Sequence, residues 1–169
     1  MFKLKDEILV PDRRFAILRN ASGVGFSPIT IEDHHHRVGT IAIDVAVPLV
    51  VRVLFDRARN VFLYAWCCYE LLVVSELQAF GALELALRFR LLGSSEDISG
   101  LGSLLRQARR DGLLLSKVDE VDELDALLAM RNTLAHGVLE VHTPEMSLAT
   151  LSRCADVINR IYRPSFTAV

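Results

Sequence analysis

The chain is poor in cysteine, with only Cys67, Cys68 and Cys154 among 169 residues. Two of the three are adjacent, so no disulfide framework can be drawn, and a reducing, cytoplasmic setting is expected. An excess of one charge is also missing: 19 Lys and Arg stand against 21 Asp and Glu, for a formal net charge of −2. No global field draws nucleic acid to such a chain, and any RNA binding must rest on a local basic patch. Long charge-free apolar runs are absent. Arg52, Asp56 and Arg57 interrupt one candidate span and Glu70 and Glu76 another, short of the roughly 18 residues a membrane helix needs. The N-terminal MFKLKDEILVPDRR lacks the apolar core of a signal peptide. No membrane association is expected. Glycine-rich phosphate loops, metal-ligand motifs, nucleophile elbows and internal repeats are missing as well, so neither a metal nor a cofactor is anticipated.

What is present is apolar side chain: 51% of residues are hydrophobic and the mean hydropathy is +0.33. A surface buried in a homodimer or higher homo-oligomer explains this more simply than a membrane does. The length suits one domain with an N-terminal appendage. Residues 1–46 read as an arm with short strands and 47–169 as a helical domain. In the arm, Phe2 to Val10 and Arg37 to Ala46 carry β-branched and alternating stretches, with the loop-like NASGVGFSPIT between them. About one to three short strands, or an extended arm, are expected. His34, His35 and His36 are consecutive. Adjacent residues do not converge on one metal in regular structure. They read as a solvated loop, or as helpers at a neighbouring subunit's site.

The remainder reads as an all-α bundle of about five helices. Pro48 suits the first turn of a helix that buries Val51, Phe55, Ala58 and Phe62. No Gly or Pro interrupts Leu49 to Phe80. A turn is placed near Cys67 to Leu72, with one long bent helix as the alternative. The next helix, ending at Leu92, is apolar almost all round, and its face of Ser75, Ala79, Gly81, Ala82 and Ala86 allows close approach. A helix of that kind is central, and another subunit is expected to cover part of it. GSSED follows, with Ser94 or Ser95 as cap. The helix from Ile98 to Asp111 carries Arg106, Arg109 and Arg110 and ends at Gly112. This basic cluster is either a solvated face or a set of contacts to RNA phosphates. Ser116 and Asp119 resemble a capping box for the following helix, whose first half is loaded with Asp and Glu. Thr143 caps a last helix, Pro144 to Tyr162.

LLAMRNTLAHG, from Leu127 to Gly137, stands apart. Gly137 is placed to end the helix, leaving His136 in its last turn, where the dipole favours cations. At about 100° per residue, Val121, Leu124, Leu127, Leu128, Leu134 and Ala135 form one apolar arc, and Arg131 falls within it. Asn132 and His136 share the arc's margin, one turn apart. A guanidinium on a buried stripe needs a carboxylate or an anion-receiving cleft. Glu84, on the same face as Val73, Leu77, Phe80 and Leu91, is the expected carboxylate, and Arg88, one turn on, competes for it.

The R-N-T-L-A-H-G string resembles the signature of HEPN domains, in which an Arg with a polar neighbour precedes a His at the end of a bundle helix. The resemblance extends loosely over Val47 to Arg163 and leaves residues 1–46 uncovered. It implies a metal-independent endoribonuclease of the toxin–antitoxin, abortive-infection or defence kind, held by an antitoxin or defence-system partner. The alternative within the family is a non-catalytic scaffold or nucleotide-binding dimer. Some toxin members carry Tyr two positions after the His; here that place is Val138, unlike the subgroup whose antitoxin modifies the tyrosine. By chemistry, Arg131 can hold phosphorane oxygens, Asn132 can orient the imidazole or donate to phosphate, and His136 can move protons. One motif supplies one proton-transfer group, and on an ideal helix Arg131 and His136 point about 140° apart. A two-fold dimer joining two motifs in one cleft removes both difficulties.

Overall fold

The computed structural model describes residues 2–22, 25–93, 100–114, 122–136 and 142–163. Among these lie a two-stranded antiparallel sheet, β1 (Arg19–Ser22) and β2 (Gly25–Pro28), and six α-helices. The helices are α1 (Ile31–Gly39), α2 (Leu49–Tyr64), α3 (Leu71–Leu92), α4 (Leu101–Arg110), α5 (Glu123–Ala135) and α6 (Pro144–Tyr162). The expected roles of Ser94, Ser95, Ile98, Ser116, Asp119, Glu120, Val121, Gly137 and Val138 fall outside the described residues.

α3 is the axis of the bundle, as its all-round apolar sequence requires. It buries Leu72, Ala79, Phe80, Ala82, Leu83, Ala86 and Leu87, and packs against α2, α6, α4 and α5. These neighbours belong to the same chain and cover most of α3, while Val74 and Leu92 stay exposed. Gly81, expected on the close-approach face, is exposed, with nothing within 4 Å of where its Cβ would be. Gly93 takes φ +70° and caps α3 in the left-handed conformation. Among the described residues no helix is long and apolar enough to cross a membrane.

The N-terminal region departs from expectation. Phe2 to Val10 holds a short 3-10 turn at Lys5–Glu7 rather than a strand, and a second such turn covers Phe15–Ile17. The hairpin runs instead from Arg19 through most of NASGVGFSPIT, whose Ser, Gly and Pro residues read as loop. The three histidines are helical, not looped. Thr30 Oγ1 accepts from Asp33 N at 3.2 Å while Asp33 Oδ2 accepts from Thr30 N at 3.0 Å, and this reciprocal cap starts α1. His34 is buried, whereas His35 and His36 are exposed.

The α2–α3 turn, Ala65 to Glu70, has no local breaker because its contacts are tertiary. Asp12 N donates to Trp66 O at 2.8 Å, and Phe15 packs against Trp66 and Tyr69 with ring centroids 4.8 and 5.3 Å apart. Arg14 lies over the Tyr69 ring and hydrogen-bonds Asp12, holding that carboxyl down at about 2. The first residues are thus fastened to the bundle and brace the turn. Within the described residues α5 has Asp122 as N-cap, accepting from Leu124 N at 2.9 Å. α6 begins as expected: Thr143 Oγ1 accepts from Met146 N, and Pro144 occupies the first turn.

Candidate functional site

α5 is anchored to the bundle by buried Leu124, Leu127 and Leu134. Ala135, expected in the apolar arc, is exposed. Arg131, expected on a buried stripe, is only half-buried, with 37% of its side chain exposed. Its Nη2 lies 3.9 Å from Glu84 Oε2, and its Nη1 donates to Asn132 Oδ1 at 3.2 Å. Arg88 makes the closer contact to the Glu84 carboxylate, as the one-turn spacing allows. Glu84 and Arg131 therefore do meet, but loosely, and a long contact between partly solvated groups holds little energy.

Arg131 remains open because its C-terminal stretch of α5 faces a cleft. The first turn of α4, Gly100 to Ser103 with Arg106, forms one wall; Leu128, Arg131 and Asn132 form the other. The volume is about 420 Å³. The helices approach closely at its base: a Cβ on Gly102 would stand 3.0 Å from Leu128 Cδ2. Arg106, exposed and on the cleft wall, thus joins the motif arginine.

The other members of the basic cluster do not. Arg109 is drawn to Asp122 and lies 3.5 Å from Asp125, so it offsets the acidic start of α5. Arg110 hydrogen-bonds Gln107. Of the three, Arg109 is the one engaged by carboxylates among the described residues, while Arg106 and Arg110 stay exposed.

His136 is the C-cap of α5, its N–H donating to Asn132 O at 3.1 Å and Thr133 O at 3.3 Å. Its imidazole is exposed, on the outward face with Ala129, Asn132 and Thr133. Arg131 and His136 share no hydrogen bond. The Asn132 side-chain oxygen, Oδ1, accepts from Arg131 rather than from the imidazole. One chain thus supplies a cationic cleft and, around the helix from it, a solvent-facing proton-transfer group.

A buried carboxylate escaped sequence reasoning. Glu76, in the middle of α3, is fully buried. It accepts from His142 Nδ1 at 3.0 Å to each oxygen and from Ser147 Oγ at 2.5 Å. These bonds pin the start of α6 to the central helix, at the far side of residues 137–141 from His136. The available signal was a charge on a helix with no polar face, the same signal that singled out Glu84.

Among the described residues no group of three or more His, Cys, Asp or Glu is placed to hold a metal ion. No protein-family model, curated protein or solved structure matches the chain.

Proposed function

We propose that this chain is a HEPN-type, metal-independent endoribonuclease that cuts RNA at a site composed from two copies, in a cytoplasmic toxin, phage-defence or stress role under the control of a partner protein. The observation that carries the reading is the state of Arg131. It lines an open cleft that Arg106 also lines, and its only carboxylate contact among the described residues is the loose 3.9 Å one to Glu84, which Arg88 shares. A purely structural arginine at this position would be sealed against its carboxylate.

The chemistry follows from the groups at hand. A base removes the 2′-OH proton, the 2′-oxygen attacks phosphorus, and the P–O5′ bond breaks as an acid protonates the leaving oxygen. Arg131 holds the non-bridging oxygens, on which charge builds in the transition state. His136 from each copy supplies base and acid in turn, which the single imidazole of one chain cannot. The products are a 2′,3′-cyclic phosphate and a 5′-hydroxyl.

Expression toxicity tests the reading. Arg131→Ala and His136→Ala are expected to abolish toxicity, and to lower cleavage of unmodified RNA at least about 100-fold, with EDTA without effect. Wild-type cleavage rates in both variants would refute it. The second reading, a non-catalytic scaffold or nucleotide-binding dimer, draws on the Arg88–Glu84–Arg131 chain of contacts linking α3 to α5. It expects Arg131→Ala to lower thermal stability while no RNA is cut by any variant.

A further inference from the structure

The cleft gathers two guanidinium groups on opposite walls, Arg106 on α4 and Arg131 on α5, and among the described residues none that lines it is acidic. Arg106 does not extend away along its helix. Its Nη1 lies 3.6 Å from where a Cβ of Gly102, one turn earlier, would stand. The guanidinium is therefore turned back toward the positive end of α4's own dipole, where a cation is disfavoured unless an anion is shared. The same turn offers uncharged donors. Gly100 O accepts from Ser103 N at 2.9 Å and Leu104 N at 3.2 Å, while the amides of Leu101 and Gly102 have no acceptor among the described residues. The exposed Ser103 hydroxyl and the Asn132 side-chain amide complete the lining. Gly102 matters sterically, since its missing side chain lets this turn of α4 lie against Leu128 and opposite Arg131.

We propose that this cleft is a subsite for a backbone phosphate of RNA adjacent to the bond that is cut, with Arg106 as its principal ligand and Arg131 shared with the scissile phosphate. Forked donors on the two walls of one cleft suit a tetrahedral oxyanion, and a space of about 420 Å³ accepts roughly one nucleotide's phosphate and sugar. The contacts read charge and shape, not base edges, so the subsite confers affinity without sequence preference. It rests on the ribonuclease reading for its substrate but not for its charge.

The test uses the full chain and a fluorescent 2′-O-methyl oligoribonucleotide, which binds but cannot be cut, followed by anisotropy over a range of salt. Arg106→Gln is expected to weaken binding about tenfold for unrelated sequences and to reduce the log–log salt slope by about 0.7, the share of one phosphate on a single strand. Arg153→Gln, at an exposed position on α6, is the control for loss of one positive charge. Arg106→Gln indistinguishable from Arg153→Gln overturns the proposal. So does Arg106-dependent binding of inorganic phosphate by a chain that does not bind the oligoribonucleotide, because the subsite then serves a free anion. Unmodified RNA separates the two claims. Arg106-dependent binding without cleavage keeps the subsite and removes the nuclease. Cleavage with binding unaffected by Arg106→Gln keeps the nuclease and removes the subsite.

Discussion

His34 Nε2 lies 2.9 Å from Phe62 O, and a carbonyl can only accept, so this nitrogen carries a hydrogen. The imidazole stacks on Phe62 at 4.4 Å and meets Phe15 edge-on at 5.1 Å. Burial among these rings pushes its pKa below the ordinary value of 6.5; the Phe62 carbonyl opposes the shift. A depressed folded-state pKa means that the unfolded chain binds the proton more readily. The stabilisation is complete above the unfolded value and is lost as pH falls below it. Melting temperature should therefore drop between about pH 7 and pH 5, and His34→Gln, which keeps an N–H donor but cannot titrate, should flatten that drop. An equal slope in both proteins would place the acid sensitivity elsewhere. Glu76 is the converse, a buried carboxylate held by two donors. Removing it leaves His142 and Ser147 without their acceptor, so Glu76→Ala should cost about 3 kcal/mol in denaturant unfolding and Ser147→Ala about 1 kcal/mol. A loss of a few tenths for both would show the cluster to be incidental. At this scale the sequence was half readable. The helical wheel brought out Arg131 and Glu84 and anticipated Arg88 as a competitor for Glu84. It did not bring out Glu76, whose partner His142 lies 66 positions away across α4 and α5, a pairing that no local period encodes.

Helices with strong internal patterns were readable as elements, and those fixed by distant contacts were not. α6 announces itself through Thr143 and Pro144, and α3 ends where Gly93 permits left-handed backbone. α1 was obscured by three consecutive histidines and a β-branched run, yet its start is encoded in T-x-x-D. Because both partners of that cap hydrogen-bond reciprocally, Thr30→Ala should destabilise the protein by about 1 kcal/mol. The same substitution should release the start of the helix that inserts His34. Hydrogen exchange confined to α1 would report this, and exchange unchanged there would mean that packing alone holds the helix. The end of α2 has no such code. It lies where Asp12, Phe15 and Arg14 grip the turn, which is why a bent continuous helix stood as the alternative reading of the sequence. The site divides along the same line. Arg131, Asn132 and His136 stand out locally, but the cleft exists because α4 returns its first turn to α5, and only the packed chain shows that Arg106 joins Arg131 and Asn132 there while Arg109 is drawn to Asp122.

At the scale of the whole molecule, the proposed chemistry makes a demand on geometry that one chain does not meet. Arg131 looks into the α4–α5 cleft and His136 looks outward, so a second copy must present its motif to the outward face of α5. That face carries Ala129, Asn132, Thr133 and His136, small or polar enough for close approach. A rival face is more apolar: Leu49, Val50 and Val53 are exposed on α2, which packs against α1, α3 and α6 rather than against the motif helix. Hydrophobicity alone favours α2 as an interface, and the ribonuclease mechanism requires α5. Two substitutions at exposed sites separate them, each expected to change folding stability by no more than about 0.5 kcal/mol. Ala129→Glu should convert a sedimenting dimer to monomer and abolish RNA cleavage. Val53→Glu should leave both assembly and cleavage intact. If instead Val53→Glu dissociates the dimer while Ala129→Glu does not, the two copies meet through α2. The motifs then stand apart, no second imidazole reaches the Arg131 cleft, and the composite nuclease site is excluded whatever affinity that cleft has for phosphate.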